Sequence, residues 1–175
     1  DALEPFRCAT SAGTQDPEPL AYLKDPNYSS FDVALEVSIA PAGSDDFTAI
    51  SNSNLRHLYW TPTQQLAHHS VTGCDMRPGD LLATGTISGS NPGAYGSMLE
   101  LSWMGTKEVG PLADGSTRKF LKDGDSVKIT GVCGGADYTI GFGDCVGAVR
   151  AAGDVAARPS PVPTHPLRDV KLHGY

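Results

Sequence analysis

The stretch that decides the fold is residues 31–39, Phe31-Asp32-Val33-Ala34-Leu35-Glu36-Val37-Ser38-Ile39. Apolar side chains occupy every second position, with acidic or small residues between them. Because successive side chains of a β-strand point to opposite faces, this alternation predicts a strand with one buried face. The stretch therefore predicts a sheet that packs one side against a core.

Downstream of Gly73, short apolar runs alternate with turns. Two tight turns are predicted, at residues 77–80 (RPGD) and 122–125 (KDGD), because Pro fixes φ and Gly accepts positive φ. The apolar runs between such turns are expected to form short strands, at residues 81–87, 98–103, 118–121, 126–130 and 138–142. Residues 1–30, rich in Pro, Asp and Ser, are expected to form an extended loop.

One helix is predicted over residues 54–71, where apolar residues recur at helical spacing from Leu55 to Leu66. Pro62 interrupts this pattern, because proline lacks an N–H and clashes with the preceding turn. Two arrangements are open. The helix kinks at Pro62, which we favour, or a second helix begins with Thr61 as its cap and Pro62 at its first position. The predicted fold class is mostly β (α+β), with one main helix.

Composition excludes several classes of protein. The 175 residues are 39% hydrophobic and 19% charged, which is typical of a globular chain. The net charge of −7 and the absence of a basic run argue against a nucleic-acid partner. No apolar run approaches the roughly 18 residues of a membrane span, and no secretory signal is present. The chain begins at Asp1 without Met, so we expect a processed product or a piece of something longer.

Cysteine and histidine spacing predicts no metal site. The four cysteines lack a CxxC pair and are expected to be reduced, largely buried thiols in a reducing compartment. On one continuous helix, His57 and His68 would share a face but lie about 16 Å apart, too far to bind one ion. The remaining alternative for these histidines is a structural hydrogen bond.

One carboxylate is a candidate for catalysis. No G-x-S-x-G nucleophile motif and no phosphate-binding P-loop is present. Glu100 lies within the apolar run at residues 98–103, where it would be a candidate general base or a partner for a catalytic imidazole. The alternative is that strand alternation places Glu100 on a solvated face. The residue types alone leave both open.

A long series of motifs resembles the fumarylacetoacetase (fumarylacetoacetate hydrolase) family. The motifs cover residues 1–149 in order, without large insertions. They include Tyr59-Trp60-Thr61, His68-His69-Ser70-Val71, Gly73-Cys74, Arg77-Pro78-Gly79-Asp80-Leu81-Leu82, Gly85-Thr86-Ile87-Ser88-Gly89, Gly96-Ser97-Met98-Leu99-Glu100-Leu101-Ser102-Trp103, Gly105-Thr106-Lys107, Asp123-Gly124-Asp125 and Gly141-Phe142-Gly143. Pro62 and the residues after Val149 depart from the family pattern.

The resemblance implies a fold and a reaction. The fold would be the family's C-terminal β-roll or sandwich. The reaction would be hydrolysis of a carbon–carbon bond in a β-diketone acid, fumarylacetoacetate, to fumarate and acetoacetate, a step of tyrosine and phenylalanine catabolism. In this family a divalent metal, Mg²⁺ or Ca²⁺, polarises the substrate and a Glu–His pair activates water. Glu100 matches the catalytic glutamate and Thr86 a threonine that contacts the substrate.

The resemblance also implies what is missing. The family's catalytic histidine, its metal ligands and its active-site lysine lie in the part that precedes Asp1. The chain alone is therefore expected to bind no Mg²⁺ or Ca²⁺ tightly, and to need a complementary N-terminal chain or a larger assembly. Family members are homodimers. Cytoplasmic location is expected, or mitochondrial location if the N-terminus was processed.

The sequence also predicts two units in the chain and leaves one rival function open. Residues 1–150 are predicted to form the C-terminal part of a catalytic domain, and residues 151–175 a Pro-rich extended tail. Because such extensions often wrap partners, the tail favours a rival interpretation. In that interpretation the chain is a catalytically inactive, hydrolase-derived structural subunit of a larger assembly.

Overall fold

A computed structural model describes residues 2–154, so the predicted tail lies almost entirely outside the described residues. The strands and helices are β1 (Arg7–Ala9), β2 (Ser29–Phe31), β3 (Ala34–Ala40), β4 (Thr48–Asn54), α1 (Pro62–Ser70), α2 (Met98–Leu101), β5 (Ser126–Gly134) and β6 (Thr139–Ala148). Short 3₁₀ turns connect several of them. Within the described residues no helix has the length and apolar character that crossing a bilayer requires.

Two antiparallel sheets dominate this part of the chain. The larger is open rather than a closed barrel and has the order β4-β3-β5-β6, while β1 and β2 form a small separate pair. The predicted strand at residues 31–39 divides between the two sheets, because the chain leaves β2 after Phe31 and enters β3 at Ala34. The fold class, mostly β with one main helix, is confirmed.

The helix begins at Pro62, so the kink that we favoured is wrong and the alternative start, with Thr61 as cap, is correct. The predicted helix before it is wrong, because residues 55–61 contain only the 3₁₀ turn Leu55–His57. Thr61 caps the helix: its hydroxyl accepts a hydrogen bond from the Gln64 amide, and the Gln64 side chain accepts one from the Thr61 amide. This reciprocal capping box satisfies two backbone donors that a helix start otherwise leaves unpaired. The Gln64 side chain also donates to the Leu23 carbonyl, which ties the helix to the N-terminal segment.

Three predicted strands are wrong. Residues 81–87 carry no regular structure, and Leu81 is 95% exposed. Residues 98–103 begin with the one-turn helix α2, and residues 118–121 contribute only an isolated bridge between Val109 and Arg118. Each run is apolar enough for a strand but has no neighbouring strand in the described residues with which to pair. The predicted strands at residues 126–130 and 138–142 are confirmed within the longer β5 and β6.

Two strands escaped prediction, β1 because it lies in the segment expected to be an extended loop, and β4 because its sequence is polar. β4, with the sequence TAISNSN, has little of the apolar alternation that marks a half-buried strand, yet it pairs with β3 along its length. Both predicted turns are confirmed, since the Asp80 amide donates to the Arg77 carbonyl and the Asp125 amide to the Lys122 carbonyl.

The buried apolar core is small. It centres on Phe6, Val33 and Cys133, and partly buried apolar side chains from several elements pack around it. Many large apolar side chains in the described residues are exposed, including Ile129 and Phe142 on the larger sheet. The expectation of largely buried thiols is wrong for half of the cysteines, because Cys74 and Cys145 are exposed while Cys8 is half-buried and Cys133 buried; all four are free.

Candidate active site

The candidate site is carried by a loop that β4 holds against the sheet. The Ser51 hydroxyl donates to the Tyr95 carbonyl at 2.6 Å, and the Ser53 hydroxyl donates to the Ile87 carbonyl at 2.9 Å. These two bonds fix both sides of the loop between residues 86 and 97. The polar residues because of which β4 was not predicted are therefore the ones that position the site.

Glycine is required where the two sides of this loop meet. A Cβ atom on Gly96 would lie 2.6 Å from the Ile87 carbonyl oxygen and 2.7 Å from the Thr86 methyl group. Both distances are shorter than real Cβ contacts allow, so any side chain here would push the loop apart. The Gly96 amide donates to Ser88 Oγ at 3.1 Å, which closes the loop from the inside.

Glu100 lies in the first turn of α2, and two serine hydroxyls hold its carboxylate. Ser88 Oγ lies 2.8 Å from Oε1 and 2.9 Å from Oε2, and Ser97 Oγ donates to Oε2 at 2.8 Å. Ser97 also caps α2, because its Oγ accepts from the Glu100 amide. The prediction that Glu100 sits in a strand is wrong, but the carboxylate is half-buried and oriented rather than freely solvated.

The two predicted site residues line one open depression of about 540 Å³. Its lining includes Thr86, which is exposed, and Glu100, which is half-buried, together with His57 and Tyr59. His57 is in a 3₁₀ turn, Leu55–His57, and not on the main helix, so the predicted face shared with His68 does not exist. Its Nδ1 is 2.9 Å from Ser11 Oγ, and no imidazole in the described residues is hydrogen-bonded to Glu100.

An ion pair fixes the turn that carries His57. Arg56 pairs with Asp32, and the Asn54 side-chain amide donates to Asp32 at 2.7 Å. The hydrogen bond from Arg56 is the main reason that the pKa of Asp32 lies below its usual range. The same turn is capped by Asn54, whose side-chain oxygen accepts from the Arg56 amide.

Comparison with known proteins shows to which family the chain belongs. Residues 11–150 match the family described as "Fumarylacetoacetate (FAA) hydrolase C-terminal". The chain belongs to this family. It is 54% identical to the fumarylacetoacetase of Arabidopsis thaliana over 150 residues, 54% identical to that of Homo sapiens over 152 residues and 51% identical to that of Caenorhabditis elegans over 152 residues.

These alignments include most of this chain but only part of each relative. They cover 85% of the chain and 34% of the A. thaliana enzyme, and 87% of the chain with 36% of the human and 35% of the C. elegans enzymes. The chain thus spans about a third of the length of the curated fumarylacetoacetases that it matches, and corresponds to their C-terminal part.

The described residues do not fit the divalent metal that the fumarylacetoacetate hydrolase family implies. They contain no group of three or more His, Cys, Asp or Glu side chains placed to hold an ion. Mg²⁺ and Ca²⁺ need several convergent oxygen ligands, whereas the groups that contact Glu100 are the hydroxyls of Ser88 and Ser97, which donate to it.

Sequence reasoning missed the two serines that orient Glu100. One signal could have found Ser97, because Ser97-Met98-Leu99-Glu100 has the S-x-x-E spacing of a helix N-terminus. That spacing argues for a helical turn and against a strand at these positions. No local signal brings Ser88 to Glu100, twelve residues away, since the contact depends on how β4 folds the intervening loop.

Proposed function

We propose that this chain supplies the C-terminal half of a fumarylacetoacetase active site, which hydrolyses fumarylacetoacetate to fumarate and acetoacetate when the preceding part of the enzyme is present. The observation that supports this most is the orientation of Glu100 by Ser88 and Ser97, at a depression that Thr86 also lines. A carboxylate held in this way can accept a further hydrogen bond from an incoming group.

The proposed role of Glu100 is to hold a catalytic imidazole. The carboxylate would accept the N–H of an imidazole from the preceding part of the enzyme, at roughly 2.6–3.2 Å between heavy atoms. That bond would fix the tautomer, so that the other ring nitrogen faces a water molecule and can take its proton. The negative charge of Glu100 would stabilise the imidazolium that forms as the water attacks the substrate carbonyl carbon.

Thr86 is the proposed substrate contact. It is exposed and lines the depression, its methyl group lies close to Gly96, and the Ser53 bond to Ile87 fixes the backbone that follows it. A hydroxyl at this place could donate to a substrate oxygen while Glu100 and its imidazole act on the adjacent carbonyl. No finding favours the rival structural subunit, because the tail that suggested it lies outside the described residues.

A chimeric enzyme tests the proposal. In it, this chain would replace the matching C-terminal part of the A. thaliana fumarylacetoacetase, and fumarate and acetoacetate would be measured by chromatography after addition of fumarylacetoacetate. We expect both products in equal amounts from the chimera and none from the isolated chain. A chimera that folds cooperatively but forms neither product would contradict the proposal.

A further inference from the structure

A pair of reactive side chains, Cys74 and His69, lies outside the candidate active site, where α1 ends. Cys74 Sγ is 3.2 Å from His69 Nε2, and both side chains are exposed to solvent. His69 is in the last turn of α1, five residues before Cys74. A thiol in contact with an imidazole can transfer its proton to the ring and become a thiolate, the nucleophilic form of cysteine.

In this loop the charged side chains of Asp75 and Arg77 pair with each other, and not with Cys74 or His69. The Arg77 guanidinium is bound to the Asp75 carboxylate through two nitrogens, at 2.9 and 3.0 Å. The neighbouring His68 points away and its Nδ1 is 3.0 Å from the Tyr22 hydroxyl. Within the described residues, His69 is therefore the group placed to take the Cys74 proton.

A cleft beside the pair gives room for an attached group. His69 lines a cavity of about 290 Å³ together with the apolar side chains of Leu66 and Leu82, the Gln65 amide and the Thr84 hydroxyl. Such a mixed wall suits a small, largely neutral organic group with a hydroxyl or amide. His69 thus both contacts the thiol and lines the neighbouring cavity.

We propose that Cys74 and His69 form a thiol-modification site that exchanges with low-molecular-weight disulfides. The Cys74 thiolate attacks one sulfur of the disulfide, a new sulfur–sulfur bond forms, and the original one breaks. The released thiolate takes the proton that His69 had accepted from Cys74, so that the products are a mixed disulfide on Cys74 and a free small thiol. Attack by a second small thiol reverses the step.

The other cysteines provide internal references. Burial raises the pKa of the Cys8 thiol and of the Cys133 thiol, which lowers the fraction of thiolate at both positions. Cys145 is exposed like Cys74 but has no imidazole partner among the described residues. Comparison of Cys74 with Cys145 therefore separates the effect of His69 from the effect of exposure.

The test uses bis(2-hydroxyethyl) disulfide, a small neutral disulfide, on the whole 175-residue chain at neutral pH, with mass measurement of each cysteine peptide over time. Because an ordinary thiol is only a few per cent thiolate at this pH, we expect Cys74 to react about tenfold faster than Cys145. His69→Gln should bring Cys74 to the rate of Cys145, whereas His68→Gln, the matched control on the adjacent residue, should leave the difference intact.

Alkylation by iodoacetamide, which carries no disulfide, is the second measurement. If His69 activates the thiol, iodoacetamide should also react about tenfold faster at Cys74 than at Cys145. Equal rates at Cys74 and Cys145 with both reagents, or a Cys74 rate unchanged by His69→Gln, would overturn the proposal. His69 is exposed, so a thermal melt that matches the parent chain confirms that the variant is folded.

Discussion

Ser88 decides where the Glu100 carboxylate points. Its hydroxyl spans both carboxylate oxygens, and the Gly96 amide fixes the position of that hydroxyl in turn. Ser97 alone would hold only Oε2 and would leave the carboxylate free to rotate. The orientation of the proposed catalytic group thus depends on a residue that has no chemical role of its own.

Ser88→Ala should lower kcat of the chimeric enzyme by about 10- to 100-fold, because a hydrogen bond to a charged group contributes about 1.5–3 kcal/mol. Steady-state kinetics would measure this, with Ser90→Ala, an exposed serine of the same loop, as the matched control. Equal kcat in the two variants would show that the hydroxyl does not position Glu100.

The sequence offered two candidate site residues, but it did not predict what surrounds them. Glu100 was a candidate from its place in an apolar run and from the family resemblance, Thr86 from the resemblance alone, and both line the same depression. Their surroundings could not be predicted, because the serines that hold the loop act across the chain through backbone carbonyls of Ile87 and Tyr95. Such contacts leave no periodic pattern in a sequence.

Among the elements, β5 enters the sheet from a turn that one buried ion pair fixes. Arg118 donates through Nε and a terminal nitrogen to the two oxygens of Asp125, both at 2.8 Å, and the Lys122 amide donates to the same carboxylate. Arg118 and Asp125 are both buried. The hydrogen bonds from Arg118 are the main reason that the pKa of Asp125 is lowered from its ordinary value of 3.8.

Asp125→Asn should lower the free energy of unfolding by about 3–5 kcal/mol, because it leaves the buried Arg118 charge without its partner. Urea unfolding would measure the loss, with Asp123→Asn, an exposed residue of the same turn, as the control. Since the folded pKa is the lower one, the stabilisation is complete above pH 3.8 and is lost as the pH falls toward the folded pKa. A variant as stable as the parent chain would contradict this role.

The helix start, which depends on neighbouring residues, could be read from the sequence. Some strands could not, because they depend on pairing with another strand. The Thr61 cap with Pro62 at the first helical position is a local arrangement, and the sequence contained it as an alternative. By contrast, residues 81–87 looked like a strand but find no partner, and the polar β4 became a strand because β3 offers one. Strand identity depends on neighbours that are distant in sequence.

For the whole molecule, the exposed apolar surface of the larger sheet matters most. Ile129 is 44% exposed and Phe142 57% exposed, and Phe142 packs against the face of Gly131, on the same side as Ile129. Large exposed apolar side chains gathered on one face of a sheet mark surfaces that bind a partner. We propose that the part of a fumarylacetoacetase that this chain does not span, or a second copy of the chain, covers this face.

The isolated chain should therefore self-associate, and Phe142→Ser should weaken that association. Analytical ultracentrifugation over a range of concentrations would measure it, with Leu81→Ser as the control, because Leu81 is 95% exposed but lies on a loop outside the sheet. A chain that stays monomeric at all concentrations, or a Phe142→Ser variant that associates like the parent, would contradict this assignment of the face.

Glu100→Gln in the chimeric enzyme is the sharpest test of whether Glu100 contributes a charge to the reaction. Glutamine keeps the shape and can still accept hydrogen bonds from Ser88 and Ser97, but it cannot stabilise an imidazolium. We expect kcat to fall by about 10²–10⁴-fold, the usual range for a general acid–base group, with an unchanged thermal unfolding transition. Glu108→Gln, an exposed carboxylate outside the depression, should leave kcat unchanged. Near-parental turnover of the Glu100→Gln enzyme would remove this residue from the mechanism.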